Sequence, residues 1–190
     1  MEKIFNPQSI AIIGLSAKAN NMPGMILENL LRWGYRGRIF GVNPKSEEQN
    51  VSGIRMYRDV EDLPEVPDLA ACLIPARIVP EWVEKCGKFG ITRMAILSGG
   101  FSEFGEEGKK LSYLLLNTAH RYNIRFVGPN ALATANTANG LCLPFTPICR
   151  PARGGMSIIT QSGGLGLMLW DVLANERMGM AKFASIGNKL

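Results

Sequence analysis

Residues Ile158-Ile159-Thr160-Gln161-Ser162-Gly163-Gly164-Leu165-Gly166 form an apolar run that turns through Gln161, Ser162, Gly163 and Gly164 into a helical pattern. A strand entering a helix this way aims unpaired backbone N–H groups and the positive end of the helix dipole at one place. The chemistry that suits such a place is the binding of a phosphate or another anion. A second set of chemistry-bearing residues recurs wherever an apolar run stops. Gly14-Leu15-Ser16 follows the first run, with Asn20, Asn21, Pro23 and Gly24 beyond it, and Asn43-Pro44-Lys45 follows the second. Ile74-Pro75-Ala76-Arg77 follows the third, Ser98-Gly99-Gly100-Phe101 the fourth and Gly128-Pro129-Asn130 the fifth. Glycine lets a backbone approach a ligand closely, and proline fixes the direction of exit. In open α/β sheets ligands bind at the carboxyl ends of strands, near the switch in strand order.

The elements that must position these residues alternate along the chain. Apolar runs at Ser9–Gly14, Arg38–Val42, Asp68–Ile74, Arg93–Leu97 and Arg125–Val127 read as strands. Helical spacing of apolar residues marks Pro23–Trp33, Val79–Phe89 and Gly105–Tyr122, and a short helical turn covers Val60–Leu63. Strands that are apolar almost throughout, separated by helices, predict a Rossmann-like, doubly wound α/β fold with a parallel sheet covered on both faces. Residues 144–155 hold three prolines, two glycines and little periodicity, and read as a linker. A strand at Met156–Thr160, a helix at Gly164–Met178 and a strand at Ala181–Ile186 then open a second, flavodoxin-like α/β unit, left incomplete at Leu190. The expected division is therefore 1–143, a linker at 144–155, and 156–190. An unfinished unit exposes an apolar face, which favours an oligomer or pairing with a further segment.

Composition excludes several classes. The 190 residues carry a net charge of +5, but the 21 Lys and Arg are scattered without a run, which gives no signal for nucleic acid. No apolar stretch approaches the ~18 residues of a membrane span, and the first residues lack a secretory core, so a cytoplasmic protein is expected. The four cysteines (Cys72, Cys86, Cys142 and Cys149) form no C-x-x-C pair and accompany a single histidine, a pattern that gives no zinc site and reads as reduced, structural thiols. That histidine, His120, falls near a helix C-terminus, where it reads as a surface residue. Glu103, Glu106 and Glu107 read as complements to the dipole at a helix start. Met168, Trp170 and Met178 read as packing residues, and Trp33 and Trp82 as partly buried.

The first loop is not the G-x-G-x-x-G turn of dinucleotide enzymes, because Gly14 is followed by Ser16 and only later by Gly24. No acidic residue closes the second strand, where an NAD enzyme places its ribose ligand. Lys45 stands there, either as a solvated turn residue or as a cation suited to a phosphorylated ribose. These features disfavour an NAD(P)-dependent oxidoreductase.

Taken in order, the segments Ile12–Ser16, Val42–Lys45, Leu73–Ala76, Ser98–Glu103, Gly128–Leu132 and Thr160–Gly166 resemble the CoA-binding domain of NDP-forming acyl-CoA synthetases. That family is related to the succinyl-CoA synthetase α subunit and includes ADP-forming acetate–CoA ligases. Two departures are visible: Leu15 replaces a small residue, and Ala131 replaces the Cys usual after Gly-Pro-Asn. The resemblance implies an enzyme interconverting acyl-CoA, NDP and phosphate with a carboxylic acid, CoA and NTP, through an acyl phosphate and a phosphohistidine. It implies that Gly14, Ser16, Asn43, Pro44, Lys45, Ile74, Pro75 and Ala76 lie along CoA, with Lys45 near its phosphates. Ser98, Gly99, Gly100 and Asn130 would lie near the thiol end, and Gln161, Ser162, Gly163 and Gly164 would hold the phosphoryl group. The relay histidine would lie beyond Leu190, so the chain holds no catalytic residue of its own. The nucleotide (ADP/ATP or GDP/GTP) with Mg²⁺ would belong to an ATP-grasp domain or subunit outside these residues. The other class consistent with the loops is a CoA- or nucleotide-sensing module, which has no need of the Gln161–Gly166 cradle.

Overall fold

All five side chains of the strand Ser9–Ile13 (β1) are buried, because the strand lies inside a sheet covered on both faces. The computed structural model describes residues 2–18 and 21–190; Asn20, singled out above, lies outside the described residues. Beside β1 run Arg38–Val42 (β2), Asn50–Val51 (β3), Ile54–Tyr57 (β4), Leu69–Cys72 (β5), Arg93–Ile96 (β6) and Arg125–Val127 (β7). They form a seven-stranded sheet in the order β3-β4-β2-β1-β5-β6-β7, parallel except for β3. Ile13 is level with both Val42 and Cys72, so Gly14, Asn43 and Leu73 leave the sheet side by side. The strand order reverses between β1 and β5, the place at which open α/β sheets bind ligands.

The helices are Glu2–Phe5 (α1), Met22–Arg32 (α2), Val79–Phe89 (α3) and Gly105–Arg121 (α4). Ala11, Ile13, Val42, Cys72, Met94 and Ile96 on one sheet face pack with Val79, Val83 and Trp82 of α3 and with Leu115 and Ala119 of α4. Ile10, Ile12, Leu69, Ala71 and Ala95 on the other face meet Ile26, Leu27 and Leu30 of α2. Asn21 caps α2 by accepting from Gly24 N at 2.8 Å, and Pro23 occupies the first turn, where its missing N–H costs nothing.

Two hairpins were not expected. Ser52 and Gly53, at φ 48° and 81°, make the two-residue turn that joins β3 to β4. The expected helical turn follows as a 3₁₀ turn at Val60–Asp62. The second hairpin is Ala133–Asn136 (β8) with Leu141–Cys142 (β9). It joins Arg153–Thr160 (β10) and Met180–Ser185 (β11) in a sheet ordered β10-β11-β8-β9, with Gly163–Asn175 (α5) between β10 and β11. This sheet draws strands from both sides of the expected linker, and Ala133, Leu141 and Leu143 also pack on the first core. The linker stretch itself is pinned. Asn29 Nδ2 donates to the carbonyls of Pro144 (2.8 Å) and Thr146 (2.7 Å), and Trp33 Nε1 donates to Ile148 O at 3.2 Å. Its prolines remove regular structure without removing fixation.

Trp33 and Trp82 are 0% and 5% exposed, more buried than expected. Trp170 is buried as expected, but Met168 and Met178 are 67% and 42% exposed and are not packing residues. The helix α5 is apolar on most sides and meets β10 and β11 with one of them, leaving Leu165, Met168 and Val172, with Ile159 of β10, uncovered.

The thiols divide in the same way. Burial pushes Cys72 up to about 12 and raises Cys86 and Cys142, whereas Cys149 is exposed. An excess of a chromogenic disulfide reagent on the native chain should therefore modify Cys149 rapidly and the other three only on unfolding. Rapid reaction of a second thiol would contradict the buried placement.

Candidate functional site

Gly14 ends β1 at φ +101°, and its N–H donates to Val42 O at 2.8 Å. A Cβ there would sit 2.6 Å from Leu73 O, so only glycine lets the loops after β1 and β5 come this close. Asn43 joins the loops after β1 and β2: its Nδ2 donates to Leu15 O at 2.9 Å while its Oδ1 accepts from Lys45 N at 3.0 Å. Its side chain is therefore occupied in holding loops, and Lys45, exposed beyond it, makes no ion pair among the described residues. Ser16 lines a hollow of about 130 Å³ at the start of α2, together with Lys18, Asn21 and Gly24. Lys18 had not been singled out, although a cation beside a loop that approaches a helix start is a readable anion signal.

The next three loops are fused. Ser98, 3% exposed, accepts from Ile74 N at its Oγ (3.1 Å) and from Asn130 N at its carbonyl (2.8 Å). It thus ties the loops after β5, β6 and β7. A Cβ on Gly100 would lie 3.0 Å from Ala76 Cβ, and one on Gly99 would lie 3.2 Å from Asn130 Oδ1. Pro75 leads into the 3₁₀ turn Ala76–Ile78, which redirects the chain into α3. Glu103 does not complement the helix dipole as Glu106 and Glu107 do. Its Oε1 accepts from Gly100 N at 2.6 Å and Phe101 N at 3.2 Å. Burial opposes its ionisation, but the bonds from Gly100 N and the Asn188 side chain outweigh that and hold the carboxyl below the usual range. Glu106 and Glu107 instead pair on the surface with Lys109 and Lys110, each at 2.6 Å.

The anion loop has the geometry its residue types demand. Ser162 caps α5, its Oγ accepting from Leu165 N at 3.3 Å, while Thr160 Oγ1 donates to Ser162 O at 3.1 Å. The N–H groups of Gly163 and Gly164, in the first turn, have no partner within the helix. A Cβ on Gly163 would meet Leu132 at 3.0 Å. Gln161 Nε2 donates to Gly187 O at 3.0 Å, which turns that side chain toward the loop after β11. Gln161, Ser162, Gly163 and Gly164 line a cavity of about 380 Å³ that Asn130, Ala131 and Leu132 line as well. The loop after β7 and the anion loop thus share one cavity. His120 is exposed on α4 and is not part of this cavity. Among the described residues no cluster of His, Cys, Asp and Glu forms a metal site, and no helix is long and apolar enough to cross a membrane.

Comparison with known proteins defines the class. Residues 8–137 match the CoA binding domain family, and the chain belongs to it. Over its whole length it is 39% identical to the α subunit of the ADP-forming acetate–CoA ligase I of Pyrococcus furiosus, covering 41% of that protein. It is 38% identical, again over its full length, to the ADP-forming acetate–CoA ligase of Methanocaldococcus jannaschii, of which it covers 26%. The acetyl-coenzyme A synthetase 1 of Ca. Korarchaeum cryptofilum, solved in apo form, superposes on 99% of the chain with a TM-score of 0.92 at 32% identity, over 40% of its own length. The same protein has been solved in complex with phosphate and ADP. The chain matches the CoA-binding portion of NDP-forming acid–CoA ligases, and it spans less than half the length of these relatives.

Proposed function

We propose that this chain is the CoA-binding portion, with the opening of the phosphate-binding portion, of an NDP-forming acid–CoA ligase. The whole enzyme would interconvert acyl-CoA, NDP and phosphate with a carboxylic acid, CoA and NTP. The observation that carries this reading is the one cavity lined both by Asn130 and by Gln161–Gly164. Transfer of an acyl group between a thiol and a phosphate requires the two held side by side, and that cavity supplies a wall for each. In this reading residues 1–143 carry the CoA site, 144–155 connect, and 156–190 begin the phosphate unit. Gly14, Ser16, Asn43, Pro44, Ile74, Pro75 and Ala76 line CoA, Lys45 meets its phosphates, and Ser98, Gly99, Gly100 and Asn130 surround the thiol end. The N–H groups at Gly163 and Gly164 stabilise the phosphoryl oxygens with fixed dipoles that need no reorganisation. An ATP-grasp partner supplies nucleotide and Mg²⁺, the relay histidine lies outside these residues, and the assembly is a cytoplasmic oligomer. The 190 residues alone bind ligand without turning it over.

Calorimetric titration with CoA tests this directly. CoA is expected to bind, dephospho-CoA to bind more weakly, and NAD⁺ not to bind. Lys45→Ala is expected to weaken CoA about 10-fold, the size of one charge-assisted phosphate contact. Binding of NAD⁺ without CoA would overturn the reading, and an unchanged Kd in Lys45→Ala would remove that residue from the site.

A further inference from the structure

We propose that Glu103 and Asn188 form a polar latch that positions the Ser98–Phe101 loop and ties it to the loop after β11, beside the cavity that Asn130 and Gln161 line. This rests on the CoA reading above, but neither residue is among those expected to touch CoA or phosphate. The Glu103 carboxylate is divided between two tasks. Its Oε1 takes the N–H groups of Gly100 and Phe101, and its Oε2 accepts from Asn188 Nδ2. Asn188 Nδ2 also reaches Ser102 Oγ at 3.3 Å, and Asn188 Oδ1 accepts from Asn130 Nδ2 at 3.3 Å. The backbone N–H of Asn188 donates to Pro129 O at 2.9 Å. The residue before it, Gly187, offers its carbonyl to Gln161 Nε2 and lies so close to Pro129 O that a Cβ would fall 2.2 Å away. An unbroken polar path therefore runs from Gly100 through Glu103, Asn188 and Gly187 to Gln161 beside Ser162. The loops after β6 and β7 stand at one end, and the anion loop at the other. Glu103 and Asn188 stand 85 positions apart, so the fold and not the local chain brings them together. The loop after β7 and the anion loop are already joined through β8, β11 and β10, and the latch adds the loop after β6 to that frame.

The donor and acceptor pattern gives a specific test. In Glu103→Gln one end of the side chain becomes an NH₂ group: facing the two loop amides it sets donor against donor, and facing Asn188 it does the same or forces that amide to turn and set its own NH₂ against Asn130 Nδ2. In Asn188→Asp a second carboxylate faces Glu103. Each single change is expected to speed hydrogen exchange at Gly100 N and Phe101 N about 10-fold and to weaken CoA to a similar degree. In the double variant Glu103→Gln/Asn188→Asp, the new NH₂ donates to the carboxylate introduced at position 188, and that carboxylate still accepts from Asn130. Exchange and affinity are both expected to recover to within about 3-fold of wild type. A double variant no better than the weaker single variant would overturn the latch, as would single variants that exchange like wild type. Should a single variant fail to fold, a folded double variant is the same recovery read in circular dichroism. The exchange measurement needs no ligand. If the wild-type chain does not bind CoA, the ligase reading falls, whereas recovered exchange still establishes the latch and lost recovery still removes it.

Discussion

Gly14→Ala is expected to lower stability by about 2–5 kcal/mol and to raise the Kd for CoA at least ~10-fold. Two separate effects converge there. The backbone sits at φ +101°, a region side-chain-bearing residues rarely adopt, and the new methyl would lie 2.6 Å from Leu73 O and 2.9 Å from Ile74 Cγ2. Neither neighbour yields cheaply. Leu73 N is bonded to Ile13 O at 3.2 Å, and Ile74 N is held by Ser98 Oγ. The loop after β5 must therefore move as a piece, and it carries Pro75 and Ala76 with it. Gly34→Ala separates the two effects, because Gly34 also has positive φ (+70°) but nothing within 4 Å of the added carbon. That variant is expected to lose about 1 kcal/mol and to bind CoA like wild type. The measurements are urea unfolding and calorimetry on both variants. Equal losses of affinity would show that the switch between β1 and β5 is not where the ligand lies.

What was legible in the sequence follows from how each element achieves its burial. β1, β2, β5 and β6 are covered on both faces, so they read as short apolar runs closed by Gly, Pro or Asn, and the loops after them lined up at one sheet edge as expected. β8 has the same burial but is written Ala133-Thr134-Ala135-Asn136, too small and too polar to stand out. Thr134 and Asn136 are satisfied by Ile4 O and Phe5 O, 130 and 131 positions away. Its one local sign is the Asn139-Gly140 pair, a hairpin signal. The pinned strap at 144–152 was hidden for a similar reason. Asn29 and Trp33 sit at a helix more than a hundred residues earlier, and nothing near the strap says that its carbonyls are taken. In the site, Gly14, Asn43 and Ser162 were visible because turn chemistry is local. The fixing roles of Ser98 and Glu103 were not: Ser98, expected beside a ligand, also holds two loops by hydrogen bonds, and Glu103 looked like a dipole partner and serves Gly100 and Phe101. A side chain that works on backbone groups brought in by the fold has no signature in its own neighbourhood.

Trp170→Ala is expected to cost about 3–5 kcal/mol, and its effect should fall unevenly on the two sheets. The indole lies 5.4 Å from the Trp33 ring and 5.0 Å from the Phe183 ring, and its Nε1 donates to Cys149 O at 3.2 Å. It is the point at which α5 meets the end of α2, the strap and β11 together, whereas the rest of α5 is largely bare. The seven-stranded sheet has its own two-sided core and does not depend on this contact. Hydrogen exchange on the variant should therefore show lost protection along α5, β10 and β11, with β1 and β5 unchanged. Because α5 carries Gly163 and Gly164 in its first turn and Ser162 as its cap, the anion loop should lose its shape at the same time. Trp170→Phe keeps an aromatic ring beside Phe183 but loses the indole N–H and part of the buried bicycle, at an expected loss of about 1–3 kcal/mol. Uniform loss of protection in Trp170→Ala would mean that the two sheets unfold as one cooperative unit. The anion loop would then be as stable as the core of the seven-stranded sheet, with no separate freedom to adjust when a ligand arrives.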